Sequence, residues 1–112
     1  NSTGASLFGL LKLGDGSALK SKIGVKDIVN QGTSWATLAS TTLGGISFIQ
    51  VYNDANGAQC IALVMWRATG ITVISENDNT GLSVNYQVSG GALQISTSSG
   101  TISGSATYLV AN

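Results

Sequence analysis

Few residues in this 112-residue chain have the side-chain chemistry on which catalysis or metal binding usually depends. The sequence contains no histidine, one cysteine, five acidic and five basic residues. Without an imidazole it cannot build a Ser-His-Asp triad, a Cys-His dyad or a histidine metal site, and one thiol cannot form a zinc cage. The sequence therefore predicts a protein that is not an enzyme and that holds no cofactor.

The densest group of polar ligand atoms lies in the sequence Glu-Asn-Asp-Asn-Thr-Gly at residues 76–81. Its candidate residues are Glu76, Asn77, Asp78 and Asn79. Several oxygens within one loop invite a calcium hypothesis, but the spaced acids and distal Glu of an EF-hand are missing. Two acids on one loop tip do not resemble a glycosidase pair either, since those acids face each other across a cleft. Asn, Asp and Gly are also ordinary turn residues, so we predict a turn and no metal site.

Four further residues are candidates for contact with a ligand or a partner. Asp54 and Asn56 lie in the turn sequence Asn-Asp-Ala-Asn-Gly at 53–57, where a turn role is the simpler interpretation. Trp66 and Arg67, the sole arginine, end the most apolar run of the chain. An aromatic residue beside a guanidinium is typical of recognition surfaces.

Aromatic side chains could also stack on sugar rings, provided that they are exposed. The candidates are Trp35, Tyr52, Trp66, Tyr86 and Tyr108. Packing in a core or against another subunit is the alternative for each of them.

Composition narrows the class of protein further. Apolar residues make up 43% of the chain and charged residues only 9%, while 49 positions are Ser, Thr, Asn or Gly. A net charge of zero argues against a nucleic-acid partner, because phosphate binding needs clustered Lys and Arg. No run approaches the ~20 apolar residues of a membrane helix, so we expect no membrane-spanning segment.

Alternation of apolar and polar residues predicts β-strands. It is clearest where Leu82, Val84, Tyr86 and Val88 alternate with small polar residues, a period of two that only a half-buried strand explains. Similar runs, each closed by turn residues, predict strands at 6–13, 35–39, 46–52, 58–66, 71–75, 82–88, 92–97 and 101–110. The segment 18–29 reads as irregular or as a single helical turn. Leu19, Ile23 and Ile28 loosely fit a helical face, but Gly24 interrupts that face and Ile23 with Val25 alternates like a strand. This count of strands is typical of an antiparallel β-sandwich or jelly roll.

One predicted strand has apolar residues at consecutive positions, from Cys60 to Trp66. We expect both of its faces to be buried, either at the centre of a sandwich or against another subunit. Cys60 itself is expected to be a small buried side chain, because nothing nearby could generate a thiolate.

The chain is expected to divide into an irregular N-terminal segment at 1–32, connecting to an upstream stalk, and a β-sandwich knob at 33–112. Residues 45–66 contain an aromatic-rich strand, an Asn-Gly hairpin and an alanine-containing apolar strand, and Ile-Thr-Val-Ile-Ser follows at 71–75. In this order of features the chain resembles the distal tip domains of bacteriophage tail fibres and tail needles over residues 33–110. No collagen-like or heptad stalk sequence is found at 1–17. The resemblance also includes no residue motif from which the binding site of those domains could be assigned to this chain.

The resemblance implies a homotrimeric knob, related in shape to tumour necrosis factor-like jelly rolls, at the extracellular tip of a virion tail. Its expected partners are a host cell-surface saccharide or an outer-membrane protein, and its expected role is host attachment or envelope penetration. Two alternatives stay open. One is a monomeric secreted carbohydrate-binding module or lectin, and the other is a minor capsid or decoration protein.

Overall fold

A computed structural model describes residues 21–111, which fold into β-strands joined by short turns. The eight strands are β1 (Ser21–Gln31), β2 (Ala36–Ser40), β3 (Gly44–Asn53), β4 (Gln59–Arg67), β5 (Gly70–Asp78), β6 (Val84–Ser89), β7 (Ala92–Thr97) and β8 (Ile102–Ala111). The predicted strand at 6–13 lies outside the described residues. Within residues 21–111 there is no helix with the length and hydropathy needed to cross a membrane.

The strands form two antiparallel sheets of different size. The larger sheet has the order β1-β8-β3-β4-β5, and the smaller has the order β2-β7-β6. The core lies between them: Ile49, Val64 and Trp66 of the larger sheet belong to one buried cluster with Leu93 and Ile95 of the smaller sheet. The predicted antiparallel β-sandwich is therefore confirmed.

The hairpin between β3 and β4 forms where the Asn-Gly pair predicted it. Gly57 has a φ of 75°, which costs little without a Cβ. Its N–H donates to the carbonyl of Asn53 at 2.7 Å, and the N–H of Asn53 donates to the carbonyl of Ala58 at 2.8 Å. This turn sets the register in which Tyr52 lies opposite Gln59.

The alternation in β6 is also confirmed. Val84 is buried, and Tyr86 and Val88 pack against the core from the same face. On the other face the side-chain amide of Gln87 donates to Gln94 of β7 at 2.7 Å.

Residues 21–31 correct the prediction of an irregular segment, because they form β1 at an edge of the larger sheet. The alternation of Ile23 and Val25 was the correct signal, and Gly24 was misread as an interruption. A Cβ at Gly24 would clash with the Tyr108 hydroxyl, so the missing side chain makes room for the tyrosine ring on β8. The division of the chain at residue 32 stays a prediction.

Strand β4 corrects the prediction of two buried faces. Cys60, Ala62, Val64 and Trp66 are buried, whereas the alternate residues face outward, with Ile61 44% and Met65 47% exposed. The smaller sheet covers only one side of the larger one. A single molecule therefore leaves the other side of β4 in water.

Candidate functional site

The residues predicted as one loop at 76–79 are divided between a strand and a turn. Glu76 and Asp78 belong to β5, where they lie opposite Ala62 and Cys60. They therefore share the inner side of the sheet with Cys60, while Asn77 lies opposite Ile61, whose side chain is exposed. Asn79 follows the strand and donates its side-chain amide to Asn77 at 3.1 Å.

Asp78 organises the turn that leads to β6. One of its carboxylate oxygens accepts hydrogen bonds from the N–H of Thr80 at 2.9 Å and its hydroxyl at 2.6 Å. The other accepts from the N–H of Val84 at 2.9 Å. Burial acts to raise the pKa of Asp78, but these hydrogen bonds outweigh it and lower that pKa below its ordinary value.

Cys60 lies in a partly buried polar cluster with Glu76 and Tyr86. Its sulfur is 4.0 Å from a carboxylate oxygen of Glu76 and 3.7 Å from the Tyr86 hydroxyl. Burial, reinforced by the charges of Asp78 and Glu76, raises the pKa of the thiol to about 11, although the hydrogen bond with Tyr86 opposes this. Burial likewise raises the pKa of Tyr86 above its ordinary value. Both groups are thus protonated at neutral pH.

Within residues 21–111, one group of side chains has the spacing of a metal site: the ligand atoms of Cys60, Glu76 and Asp78 lie within 4.8 Å of one another. The chemistry of the donors fits a metal poorly. Both oxygens of Asp78 already accept hydrogen bonds, and a thiol with a raised pKa is a weak ligand, because metals bind the thiolate. Calcium would need six to eight oxygens, which these residues do not supply.

In the β3–β4 hairpin, Asp54 and Asn56 hold the local backbone and its neighbours. The carboxylate of Asp54 accepts hydrogen bonds from the hydroxyls of Thr101 and Ser103, each at 2.7 Å. The side-chain oxygen of Asn56 accepts from the N–H of Ala58 at 2.9 Å. Both residues are exposed. Their side-chain oxygens already accept hydrogen bonds within the turn and from residues at the start of β8.

Trp66 and Arg67, adjacent in sequence, have opposite environments. Trp66 is 1% exposed and its indole N–H donates to the carbonyl of Gly91 at 3.0 Å, so a single chain cannot present this ring to a ligand. Arg67 is exposed. It borders an open apolar groove of about 360 Å³ together with Leu43, Ile46 and Met65.

Two of the five aromatic candidates are accessible: Tyr52 is 45% and Trp35 42% exposed. Beside Tyr52 lies an open groove of about 340 Å³, which we call the Tyr52 groove. Its lining residues are Gln50, Val51, Tyr52, Gln59, Cys60, Ile61, Gly104 and Ser105.

Sequence reasoning missed the Tyr52 groove, because its polar side chains come from three separate strands. Antiparallel register places Gln50 opposite Ser105 and Tyr52 opposite Gln59. The available signal was that Gln50 and Tyr52 share the outward face of a period-two strand. Nothing in the sequence alone pairs them with residues 59 and 105.

No protein-family model matches the sequence, and no curated protein matches it either. Among solved structures, the chain is similar to the tailspike protein gp49 of Acinetobacter baumannii bacteriophage Fri1, with a TM-score of 0.47 and 15% identity over 81% of this chain. It is also similar to the tailspike protein of Acinetobacter phage vB_ApiP_P1, with a TM-score of 0.48 and 12% identity over 88% of this chain. The chain spans only 17% and 24% of the lengths of those two proteins.

The comparison corrects the prediction that the chain is not an enzyme. The tailspike gp49 is described as a capsular polysaccharide depolymerase, so a protein to which this chain is similar has enzymatic activity. The absence of histidine still excludes imidazole chemistry within these 112 residues. It does not exclude hydrolysis of a polysaccharide, which carboxylates alone can perform.

Proposed function

We propose that the chain is a module of a bacteriophage tail appendage, a homotrimeric knob of a fibre or needle at the tail tip, that contacts a saccharide on the host cell surface. The observation that carries this proposal is the Tyr52 groove. It combines an exposed aromatic ring with amide and hydroxyl groups. The homotrimer and the tail location rest on the sequence resemblance to tail-fibre and tail-needle tips.

The chemistry of the groove suits a neutral or weakly charged sugar. None of its lining residues carries a formal charge, and Gln50, Gln59 and Ser105 offer donors and acceptors to ring hydroxyls. The phenol ring of Tyr52 offers a flat apolar surface to the C–H face of a pyranose. A volume of about 340 Å³ lies at the lower end of the range for small-ligand sites, which favours a short oligosaccharide segment.

A glycan array, or binding to purified host capsular polysaccharide, tests this function. The wild-type chain should bind, and Tyr52→Ala should lower the affinity at least about tenfold, the loss expected for an aromatic stacking contact worth 1.4 kcal/mol or more. Trp35→Ala is the matched control, because Trp35 is 42% exposed and does not line the groove.

Three results would each contradict part of the proposal. Binding of the wild-type chain to isolated outer-membrane proteins and to no saccharide would refute saccharide recognition and support attachment through a protein receptor. Failure to block infection by the corresponding phage would remove the attachment role. Equal loss of binding in Tyr52→Ala and Trp35→Ala would move the site away from the groove.

A monomeric lectin is the second candidate, because the same exposed ring and amides would serve it equally well. Its mass in solution separates the two. Light scattering should give three times 11.3 kDa for the knob and 11.3 kDa for the lectin.

A further inference from the structure

The outward side of the larger sheet carries a continuous patch of apolar side chains. Two rows of residues that are neighbours across the strands form it. The apolar members of the rows, which we call the apolar outer face, are Ile23, Val25, Ile46, Phe48, Leu63, Met65 and Leu109. The remaining members are Thr72, Ser75 and Thr107.

These side chains are accessible to an unusual degree for their size. Val25 is 62%, Ile23 53%, Met65 47%, Phe48 40% and Leu109 39% exposed. Single exposed apolar residues are common on protein surfaces, whereas the largest continuous apolar patch of a monomer, about 300–600 Å², is often functional. The arrangement in rows on four adjacent strands therefore indicates a binding surface.

We infer that the apolar outer face is the interface at which copies of this chain associate, an inference that rests on the homo-oligomer of the proposed function. The rows cross five strands that lie about 4.8 Å apart, and the two rows together take up about 13 Å along each strand, so they cover roughly 24 by 13 Å, or about 300 Å². An interface of standard size buries about 800 Å² on each partner, so the two rows would form its apolar core and the polar side chains around them its rim.

Charge also favours a second copy as the occupant. Neither row contains a charged residue, and the chain has a net charge of zero, so two copies meet without repulsion. An acidic or basic partner would find no complementary charge on this face. Depletion of charge with aromatic and Met side chains present is the composition of an interface core.

The Tyr52 groove lies beside this interface and outside its rows. Gln50 is two residues along β3 from Phe48, and Ile61 is two residues along β4 from Leu63, so the groove begins one row further on. Association through the apolar outer face therefore places a groove of each copy at the margin of the interface.

The test is the mass of the chain in solution, measured by size-exclusion chromatography with light scattering from 1 to 100 μM. The wild type should be an oligomer, and the double variant Phe48→Ser/Met65→Ser should be a monomer over the same range. The matched control is Trp35→Ser/Val73→Ser, which removes side chains that are 42% and 41% exposed. Trp35 precedes β2, and Val73 lies opposite the buried Val64, away from the apolar outer face.

A wild type that is monomeric at every concentration would overturn the inference, and so would a Phe48→Ser/Met65→Ser variant that keeps the wild-type mass and circular dichroism spectrum. If that variant does not fold, the single variants Val25→Cys and Thr107→Cys test the interface by crosslinking. Both positions lie in the rows, so each variant should form crosslinks between neighbouring copies, and the absence of crosslinks would overturn the inference. A monomer that binds saccharide would refute the interface and the homotrimer, and would leave saccharide binding by a monomeric lectin. An oligomer that loses its mass in the Phe48→Ser/Met65→Ser variant but binds no host component would support the interface and refute the attachment function.

Discussion

At the scale of single residues, the polar groups at the start of β4 and the end of β5 contact one another and the turn that leads to β6. Cys60, Glu76 and Tyr86 contact one another, and burial raises the pKa values of the thiol and the phenol further above neutral pH. Asp78 uses both carboxylate oxygens to fix the turn before β6. Of the residues at 76–79 that looked most like a site in the sequence, Asp78 therefore serves to hold the backbone of a turn.

Asp78 should give the protein an acid-sensitive component of stability. Its pKa is lower in the folded chain than the value of about 3.9 expected when unfolded, so its contribution is present above about pH 4 and is lost as pH falls through the folded pKa. Asp78→Asn keeps one oxygen but loses the acceptor for the Val84 N–H. We expect the free energy of unfolding to fall by about 1–3 kcal/mol at pH 7.

Urea unfolding at pH 3, 4, 5 and 7 measures this effect. The difference between wild type and Asp78→Asn should shrink below pH 4. Asp27→Asn, which removes an exposed carboxylate from β1, controls for the loss of a charge. A difference that stays constant with pH would show that the ionised state of Asp78 contributes nothing.

At the scale of elements, Trp66 joins the two sheets. Its ring lies over Gly45 on β3, and its N–H reaches the carbonyl of Gly91 in the turn between β6 and β7. The same carbonyl accepts the N–H of Thr41 at 3.0 Å. The hydrogen bond from Trp66 thereby joins the larger sheet to the smaller one at the C-terminal end of β4.

Gly45→Ala should weaken this junction. Its Cβ would lie 2.7 Å from the ring of Trp66, in a core where overpacking costs about 1–3 kcal/mol. Gly70→Ala is the control, because nothing lies within 4 Å of the added Cβ, and its effect on the unfolding free energy should stay within about 0.5 kcal/mol. Equal urea midpoints for the two variants would show that the ring is free to move aside.

At the scale of the whole molecule, the two faces of β4 should respond differently to a buried charge. Val64 is fully buried between the sheets, whereas Leu63 is half-buried on the apolar outer face. Val64→Asp should prevent folding, since an unpaired carboxylate in a core costs several kcal/mol, comparable to the stability of a small domain. Leu63→Asp should leave the fold intact and prevent association.

Circular dichroism and light scattering on the two variants separate these outcomes. A folded Val64→Asp would mean that the core is not where the structure places it. A Leu63→Asp protein of wild-type mass would mean that the apolar outer face is not the interface.

Most of the strands were predictable because their cause is local. The period of two in β6, the Asn-Gly turn before β4 and the β-branched run in β3 each depend on neighbouring residues. β1 was missed because the reason for Gly24 lies 84 positions away, in the ring of Tyr108. In the sequence, a glycine that makes room for a distant aromatic ring cannot be distinguished from a glycine that ends a strand or a helix.

The sequence by itself determined that the chain forms β-strands joined by tight turns, since alternation and turn residues act within a few positions. Only the tertiary structure decided which side of β4 is buried and which residues line the Tyr52 groove. Those outcomes depend on register between strands far apart in the chain and on a second sheet that covers one side of the first. Neither leaves a trace in the local pattern, because an apolar run reads the same whether its second face meets the core, another copy or water.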